Sequence, residues 1–202
     1  MIQWWQLWPQ FFTSEECQEI IKVGLEHTPT EGQIFADKQN TTTTTALDTN
    51  KKFRRSTIRW MDRRNHQIKW IMDRLEHGFL TANCKAFQFD LTYFHEIQFT
   101  EYNGEKEGKY DWHEDLIWSS HDCSQRKLSI IAQLSRTNDY VGGDVEISKE
   151  EVGGASQLPN VNTLREQGSI FVFPSFLRHR VTPVLQGTRY SLVSWYEGPA
   201  FR

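Results

Sequence analysis

From Phe87 to the C-terminus the chain is a succession of short apolar runs cut by turn residues, and this limits the fold more than any other feature. Phe87, Phe89 and Leu91 alternate with polar residues, as do Ile97 and Phe99. Period-two alternation puts one face of a strand in a core and the other in water. Further strands are predicted over Leu128 to Leu134, Asp144 to Ile147, Ser169 to Phe173, His179 to Val184 and Arg189 to Tyr196. Between the runs stand Asn103-Gly104, Gly142-Gly143, Gly153-Gly154, Gly168, Pro174-Ser175 and Gln186-Gly187, residues that favour turns. Many short strands punctuated in this way predict a sandwich or barrel.

The first part of the chain reads differently. Gln3 to Phe12 is predicted to be a strand leading into a helix cap. Thr13 with Glu16 is a capping-box pair, and Cys17, Ile20, Ile21, Gly24 and Leu25 recur at helical spacing after it. A second apolar stripe, Ile68, Ile71, Met72, Leu75 and Phe79, predicts another helix. Phe53 to Met61 reads as extended, with Arg54, Ser56, Ile58 and Trp60 on one face and Arg55, Thr57 and Arg59 on the other. Residues 29–49 are polar, include Thr41 to Thr45 in a row, and read as a long loop and candidate lid. Helices first and strands later give an α+β, mainly β chain whose N-terminal helices pack on one face of a sheet. Its 202 residues suit one domain. Residues 1–86 would form the helical support and possible lid loop, and 87–202 the β-rich core.

Composition narrows the function. The net charge of -3 is unlike that of a nucleic-acid binder, and the cluster Lys51-Lys52-Phe53-Arg54-Arg55 reads as the solvated flank of a loop. Cys17, Cys84 and Cys123 lie far apart with no C-x-x-C pair, which supports neither a disulfide framework nor a zinc–thiolate site. A reducing compartment fits best. No apolar run reaches membrane length and no targeting signal is evident, so the expectation is a cytoplasmic protein with no membrane partner. Oligomeric state is not legible.

The chemistry starts at His113-Glu114-Asp115. In an extended segment, residues i and i+2 project to the same side, so His113 and Asp115 can reach one metal ion. Alone, such a triplet is more often an exposed polar loop, since one per chain of this composition is about what chance gives. His179, just past a Pro turn at Pro174, adds a third ligand from another strand. Two His and one carboxylate occupy one face of an octahedral iron, as in non-haem Fe(II) oxygenases; a three-ligand zinc hydrolase is the rival reading. Arg189, ten positions on, separates the two. A zinc hydrolase has no use for an Arg there, whereas 2-oxoglutarate, chelating iron through two oxygens, needs its far carboxylate held by a guanidinium fork. His27, His66, His77, His95 and His121 receive no role.

On these residues the chain resembles the Fe(II)- and 2-oxoglutarate-dependent dioxygenases of the prolyl 4-hydroxylase type. Phe12-Thr13-Ser14-Glu15-Glu16-Cys17 resembles the family's entry into its first helix. Ala82-Asn83 followed by Phe87-Gln88-Phe89-Asp90 resembles its approach to the barrel. Tyr102-Asn103-Gly104, Tyr110 and His113-x-Asp115 resemble its metal-binding stretch. Val141-Gly142-Gly143-Asp144 resembles its Gly-Gly-acid turn, and Gly168-Ser169 through Arg189 to Trp195 resembles its C-terminal signature.

The resemblance implies a double-stranded β-helix, or jelly roll. It implies iron ligands at His113, Asp115 and His179, and Arg189 on the distal carboxylate of 2-oxoglutarate. Tyr102 would line the cosubstrate pocket and Trp195 would stand beside the metal. Gln133 falls where relatives often have a Tyr that bonds the distal carboxylate, and Ser129 where Thr is common. Related halogenases lack the carboxylate found here at Asp115, so its presence points to hydroxylation. The implied cofactors are Fe(II), 2-oxoglutarate and O2, with ascorbate as an accessory reductant, and succinate and CO2 are released.

The implied substrate is a prolyl residue in a peptide or protein. Arg54, Arg55, Tyr110 and Trp112 are candidate substrate contacts, since aromatic walls suit a Pro ring. A hydroxylase of a free amino acid or other small molecule is the alternative. A nucleic-acid demethylase is disfavoured by Trp195, which stands where those enzymes carry a second Arg. An intact ligand set disfavours a non-catalytic binding module.

Overall fold

A computed structural model describes residues 3–33, 51–94, 96–116 and 124–201. In chain order the main elements are β1 (Gln6–Trp8), α1 (Ser14–Leu25), β2 (Thr30–Glu31), β3 (Arg54–Arg55), β4 (Thr57–Met61), α2 (Lys69–Ala82), β5 (Tyr93–Phe94), β6 (Ile97–Asn103) and β7 (Lys109–His113). There follow β8 (Ser124–Gln133), β9 (Tyr140–Gly142), β10 (Val145–Ile147), α3 (Val161–Arg165), β11 (Ile170–Pro174), β12 (His179–Val181) and β13 (Val184–Pro199). The larger sheet runs β1-β11-β8-β13-β6-β4-β2, and the smaller runs β10-β12-β7-β3. All the registered pairs are antiparallel. This is the antiparallel two-sheet layout of a jelly roll, with long-range pairing such as β1 on β11 forming one edge of the larger sheet.

α1 starts where the capping box predicts. The Thr13 hydroxyl accepts from the Glu16 N–H, and the Glu16 carboxylate accepts from the Thr13 N–H. Its buried residues, Cys17, Ile20 and Val23, join Ile71, Met72, Leu75 and Phe79 of α2 in one core with Leu128, Ile130, Ala132, Ile170, Val172 and Leu192 of the large sheet. The intervening positions go the other way: Ile131, Phe171 and Phe173 join a second core with Val145, Ile147, Val181 and Val184, between the sheets. The strict alternation along β8 and β11 is what lets one sheet serve both cores. Phe79 is fully buried at the helix–sheet seam, and its truncation to Ala would cost about 3–5 kcal/mol.

Five sequence expectations change. The predicted N-terminal strand is only Gln6–Trp8 before a turn. Residues 30–31, assigned to the long loop, pair with β4 at Ile58 and Thr57; residues 34–49, with His95, His121 and Cys123, lie outside the described residues. The extended run over Phe53 to Met61 breaks at Ser56: β3 pairs with β7 in the small sheet, β4 with β6 in the large one. After that break Met61 is buried and Trp60 is 40% exposed. Phe87, Phe89 and Leu91 form no strand. Residues 83–87 are a π-helical turn ending at Gln88 (φ 56°), and the Asn83 side chain bonds both the N–H and the C=O of Phe89. The backbone's hydrogen bonds are met locally, so the alternation there reflects packing of the stacked Phe87 and Phe89 rings on the helical core. The strand predicted over His179 to Val184 ends at Val181, and Val184 already opens β13. Among the described residues no helix is long and apolar enough to cross a membrane.

Candidate active site

β7 and β12 bring the first two candidate ligands together by register. His113 is the direct partner of His179, and two residues further along β12 Val181 pairs with Tyr110. Two residues of β7, Asp111 and Trp112, therefore oppose one of β12, Arg180, which is a β-bulge. The bulge puts Tyr110 and His113 on the same face, their rings stacked with centroids 3.4 Å apart, and turns Trp112 outward. Trp112 lies instead under the Arg180 guanidinium, 4.7 Å from its ring centre, and lines a separate groove with β10.

Asp115 follows β7 in non-strand backbone. Its N–H and that of Leu116 both donate to the Ser175 carbonyl, in the turn before His179. This ties the two ligand-bearing segments together. The possible ligand atoms of His113, Asp115 and His179 all lie within 4.8 Å of one another, with His113 Nε2 3.7 Å from Asp115 Oδ1 and His179 Nε2 3.6 Å from Asp115 Oδ2.

Each ring is oriented from behind. Nδ1 of His113 lies 2.7 Å from the Asp111 carbonyl and Nδ1 of His179 lies 2.9 Å from the Leu177 carbonyl. A carbonyl only accepts, so each Nδ1 carries the proton and each Nε2 presents a lone pair to the centre. Burial and the neighbouring His179 drive His113 down to about 3, which keeps it neutral near pH 7. Burial alone would raise the Asp115 carboxyl, but the imidazoles of His179 and His113, the Arg126 guanidinium and the Trp195 side chain together outweigh it and hold the group below the usual carboxylate range. Two imidazoles with Nε2 turned toward an ionised carboxylate form the donor set that a divalent metal requires.

The same pocket is lined by Arg54, Gln98, Tyr102, Tyr110, Arg189, Ser191 and Trp195. On β13 the positions Arg189, Ser191, Val193 and Trp195 alternate inward, so one strand supplies an ordered wall. Arg189 is 2% exposed, its Nη1 is 3.5 Å from Ser191 Oγ, and its Nε meets no acceptor. No carboxylate pairs with it among the described residues. Gly143 has φ 66°, and a Cβ there would stand 2.8 Å from Val184 Cγ2 and 3.1 Å from Arg189 Cδ, which together explain one glycine of the Gly-Gly turn. A buried guanidinium without a counterion is costly unless an anion arrives. Together with the triad, this is a fit for a metal chelated by a dianionic cosubstrate.

The remaining sequence-selected residues divide. Tyr102 is in the pocket, its ring 5.5 Å from the Arg189 guanidinium, and burial raises its phenol pKa. Trp195 lines the pocket and directs its buried Nε1–H toward Asp115 without reaching hydrogen-bond geometry. Ser129 does not line the pocket. Its hydroxyl donates to Asp115 Oδ2 at 2.7 Å and touches Ser175 Oγ at 2.9 Å, so it orients a ligand from behind. Gln133 also lies off the pocket, its amide donating to the Ser135 carbonyl and the Tyr140 hydroxyl. Arg54 is in the pocket. Arg55 faces out and pairs with Glu107 at 3.0 Å.

Residues that the sequence did not single out are Gln98, Ser191, Ser175 and Arg126. Arg126 is buried with its guanidinium 3.8 Å above the Trp195 ring. The inward alternation of β13 could have found Ser191. The others depend on cross-strand register.

Comparisons with known proteins agree with this geometry. The sequence is 33% identical over 90 residues to a PKHD-type hydroxylase of Synechococcus sp. (strain JA-2-3B'a(2-13)), a stretch covering 44% of this chain and 37% of the relative. It is 37% identical over 93 residues to a PKHD-type hydroxylase of Synechococcus sp. (strain CC9311), covering 46% and 38%. The matched region thus spans under two fifths of these relatives' length. Among solved structures, a Pseudomonas putida prolyl-4-hydroxylase superposes with a TM-score of 0.66 at 18% identity over 98% of this chain and 94% of its own. A Trichoplax adhaerens prolyl hydroxylase, solved with a hypoxia inducible factor oxygen degradation domain peptide fragment, gives 0.69 at 16% identity over 96% and 83%. These likenesses establish the fold. The family profile of the 2OG-Fe(II) oxygenase superfamily matches residues 97–197, which run from β6 through most of β13, and on that match the chain belongs to this superfamily.

Proposed function

We propose that this chain hydroxylates a prolyl residue in a peptide or protein, using Fe(II), 2-oxoglutarate and O2 and releasing succinate and CO2. The observation that carries the reading is the buried Arg189, with an orphaned Nε, in the same pocket as His113, Asp115 and His179. When bound, iron and cosubstrate supply O2 activation coupled to oxidative decarboxylation.

The chain's own residues do the rest. His113, Asp115 and His179 would hold the metal, their ligand atoms all lying within 4.8 Å of one another. Arg189, with Ser191 and Tyr102 near it, holds the distal carboxylate of 2-oxoglutarate by charge-assisted hydrogen bonds. Ser129 fixes the Asp115 carboxylate. Tyr110, stacked on His113 and pushed up to about 12 by burial, stays protonated and shields that imidazole from water. The aromatic lining of Tyr102, Tyr110 and Trp195 suits a prolyl ring, and the relatives and structural neighbours are named as prolyl or PKHD-type hydroxylases.

The test is incubation with Fe(II), 2-oxoglutarate, ascorbate and Pro-rich peptides, following succinate and a mass gain of one oxygen atom. Absence of 2-oxoglutarate-dependent succinate overturns the reading. Oxygenation of free proline with none on any peptide moves it to the small-molecule alternative.

A further inference from the structure

Three arginines in one segment, Arg54, Arg55 and Arg59, have different fates. Arg55 pairs with Glu107 at 3.0 Å and Arg59 with Glu101 at 2.9 Å. Arg54 is 6% exposed, yet its partners are neutral: Nε donates to Ser56 Oγ at 2.8 Å and Nη1 to the Gln33 carbonyl at 3.2 Å. Its guanidinium lies 4.3 Å from the Tyr110 ring centre. No carboxylate meets it among the described residues. These contacts aim the fork and occupy only part of its five donors.

Arg54 also lines the metal pocket. There the charged side chains among the described residues are Arg54, Arg189 and Asp115. A divalent iron and a dianionic cosubstrate offset each other, Asp115 offsets one lining arginine, and Arg126, buried behind Trp195, is faced by Glu197 across the strand pair. One buried positive charge remains, and Arg189 is taken by the cosubstrate. Leaving that charge unmet in a closed pocket is costly, so the occupied site favours an anion. The cleft on the outer side of Arg54 continues the sign: Lys51 and Lys106 line it against one lining carboxylate, Glu31, among the described residues, while Arg55 there is already paired with Glu107. Exposed cations of this kind speed the approach of an anionic ligand, while the buried one discriminates.

We propose that Arg54 determines specificity by selecting substrates with a carboxylate close to the reacting carbon. This rests on the metal and cosubstrate assignment given above, and it narrows the substrate class from prolyl compounds to acidic ones. The carboxylate has two sources, an Asp or Glu side chain next to the target residue or the α-carboxylate of a terminal or free proline. A neutral substrate leaves the excess charge uncompensated in the bound complex.

The test uses matched pairs that differ in one charge: a Pro-Asp against a Pro-Asn peptide, a C-terminal prolyl acid against its amide, and free proline against prolinamide. Binding is measured by calorimetry without O2, with Mn(II) and 2-oxoglutarate present. Turnover is measured separately with Fe(II). The acid of at least one pair is expected to bind tenfold or more tightly than its amide, about 1.4 kcal/mol. Arg54→Gln should bring that ratio near one, and Arg54→Lys should retain most of it. Equal binding within every pair overturns the proposal, as does a preference that survives Arg54→Gln in a variant that melts like the wild type. Loss of metal-dependent 2-oxoglutarate binding in the wild type instead defeats the cofactor assignment, a separate readout in the same titration.

Discussion

His113 and His179 are direct register partners across the β7–β12 pair, with ring centroids 4.2 Å apart. The metal site is thus a property of strand pairing, because both Nε2 atoms are delivered by one cross-strand rung. His113→Ala should abolish 2-oxoglutarate-dependent succinate formation, since two ligands no longer hold the ion on one face. Persistence of succinate at the wild-type rate would show that His113 is not a ligand.

Ser129 does not line the pocket, yet it holds Asp115 through a 2.7 Å hydrogen bond. Ser129→Ala should weaken metal affinity by roughly 10–100-fold, the usual effect of losing an orienting partner behind a ligand. Ser129→Thr should restore most of it. Competition with a fluorescent chelator measures both. An unchanged affinity in the Ala variant would mean that Ser175 and the backbone suffice to hold the carboxylate.

The β7 bulge separates Tyr110 from Trp112. Trp112→Ala should leave metal and 2-oxoglutarate affinity within about twofold, a surface-type change. A large loss of either would place Trp112 in the site and contradict the outward turn.

Cys17 is fully buried on α1, and desolvation pushes its thiol up to about 12 from an ordinary 9.0. Alkylation at pH 8, mapped by peptide mass, should mark exposed Cys84 and spare Cys17 until the chain unfolds. The sign for stability follows from the same shift. Above pH 9 the unfolded thiol ionises while the folded one does not, so this contribution to stability is lost as pH rises from 9 toward 12.

Features set by neighbours in sequence were legible. The Thr13–Glu16 capping box, the apolar stripe from Ile68 to Phe79 and the inward alternation of Arg189 and Trp195 on β13 are decided within a few residues. Features set by long-range pairing were not. The outward turn of Trp112 comes from one extra residue in β7 relative to β12, and the break at Ser56 comes from β3 and β4 joining different sheets. Gln133 has an inward position on β8, but its amide is captured by Ser135 and Tyr140. Arg126 sits in a strand position like any other, and only cross-strand contact with Trp195 shows why it is buried.

The pairing of an iron triad with one buried guanidinium is tested most directly by 2-oxoglutarate binding. Calorimetry under argon, with and without Mn(II), should show binding by the wild type only when metal is present. Arg189→Ala should raise Kd at least tenfold, about 1.4 kcal/mol or more, with the metal affinity retained. An unchanged Kd in that variant, or equal binding with and without metal, would contradict the assignment of Arg189 and the triad to one cosubstrate.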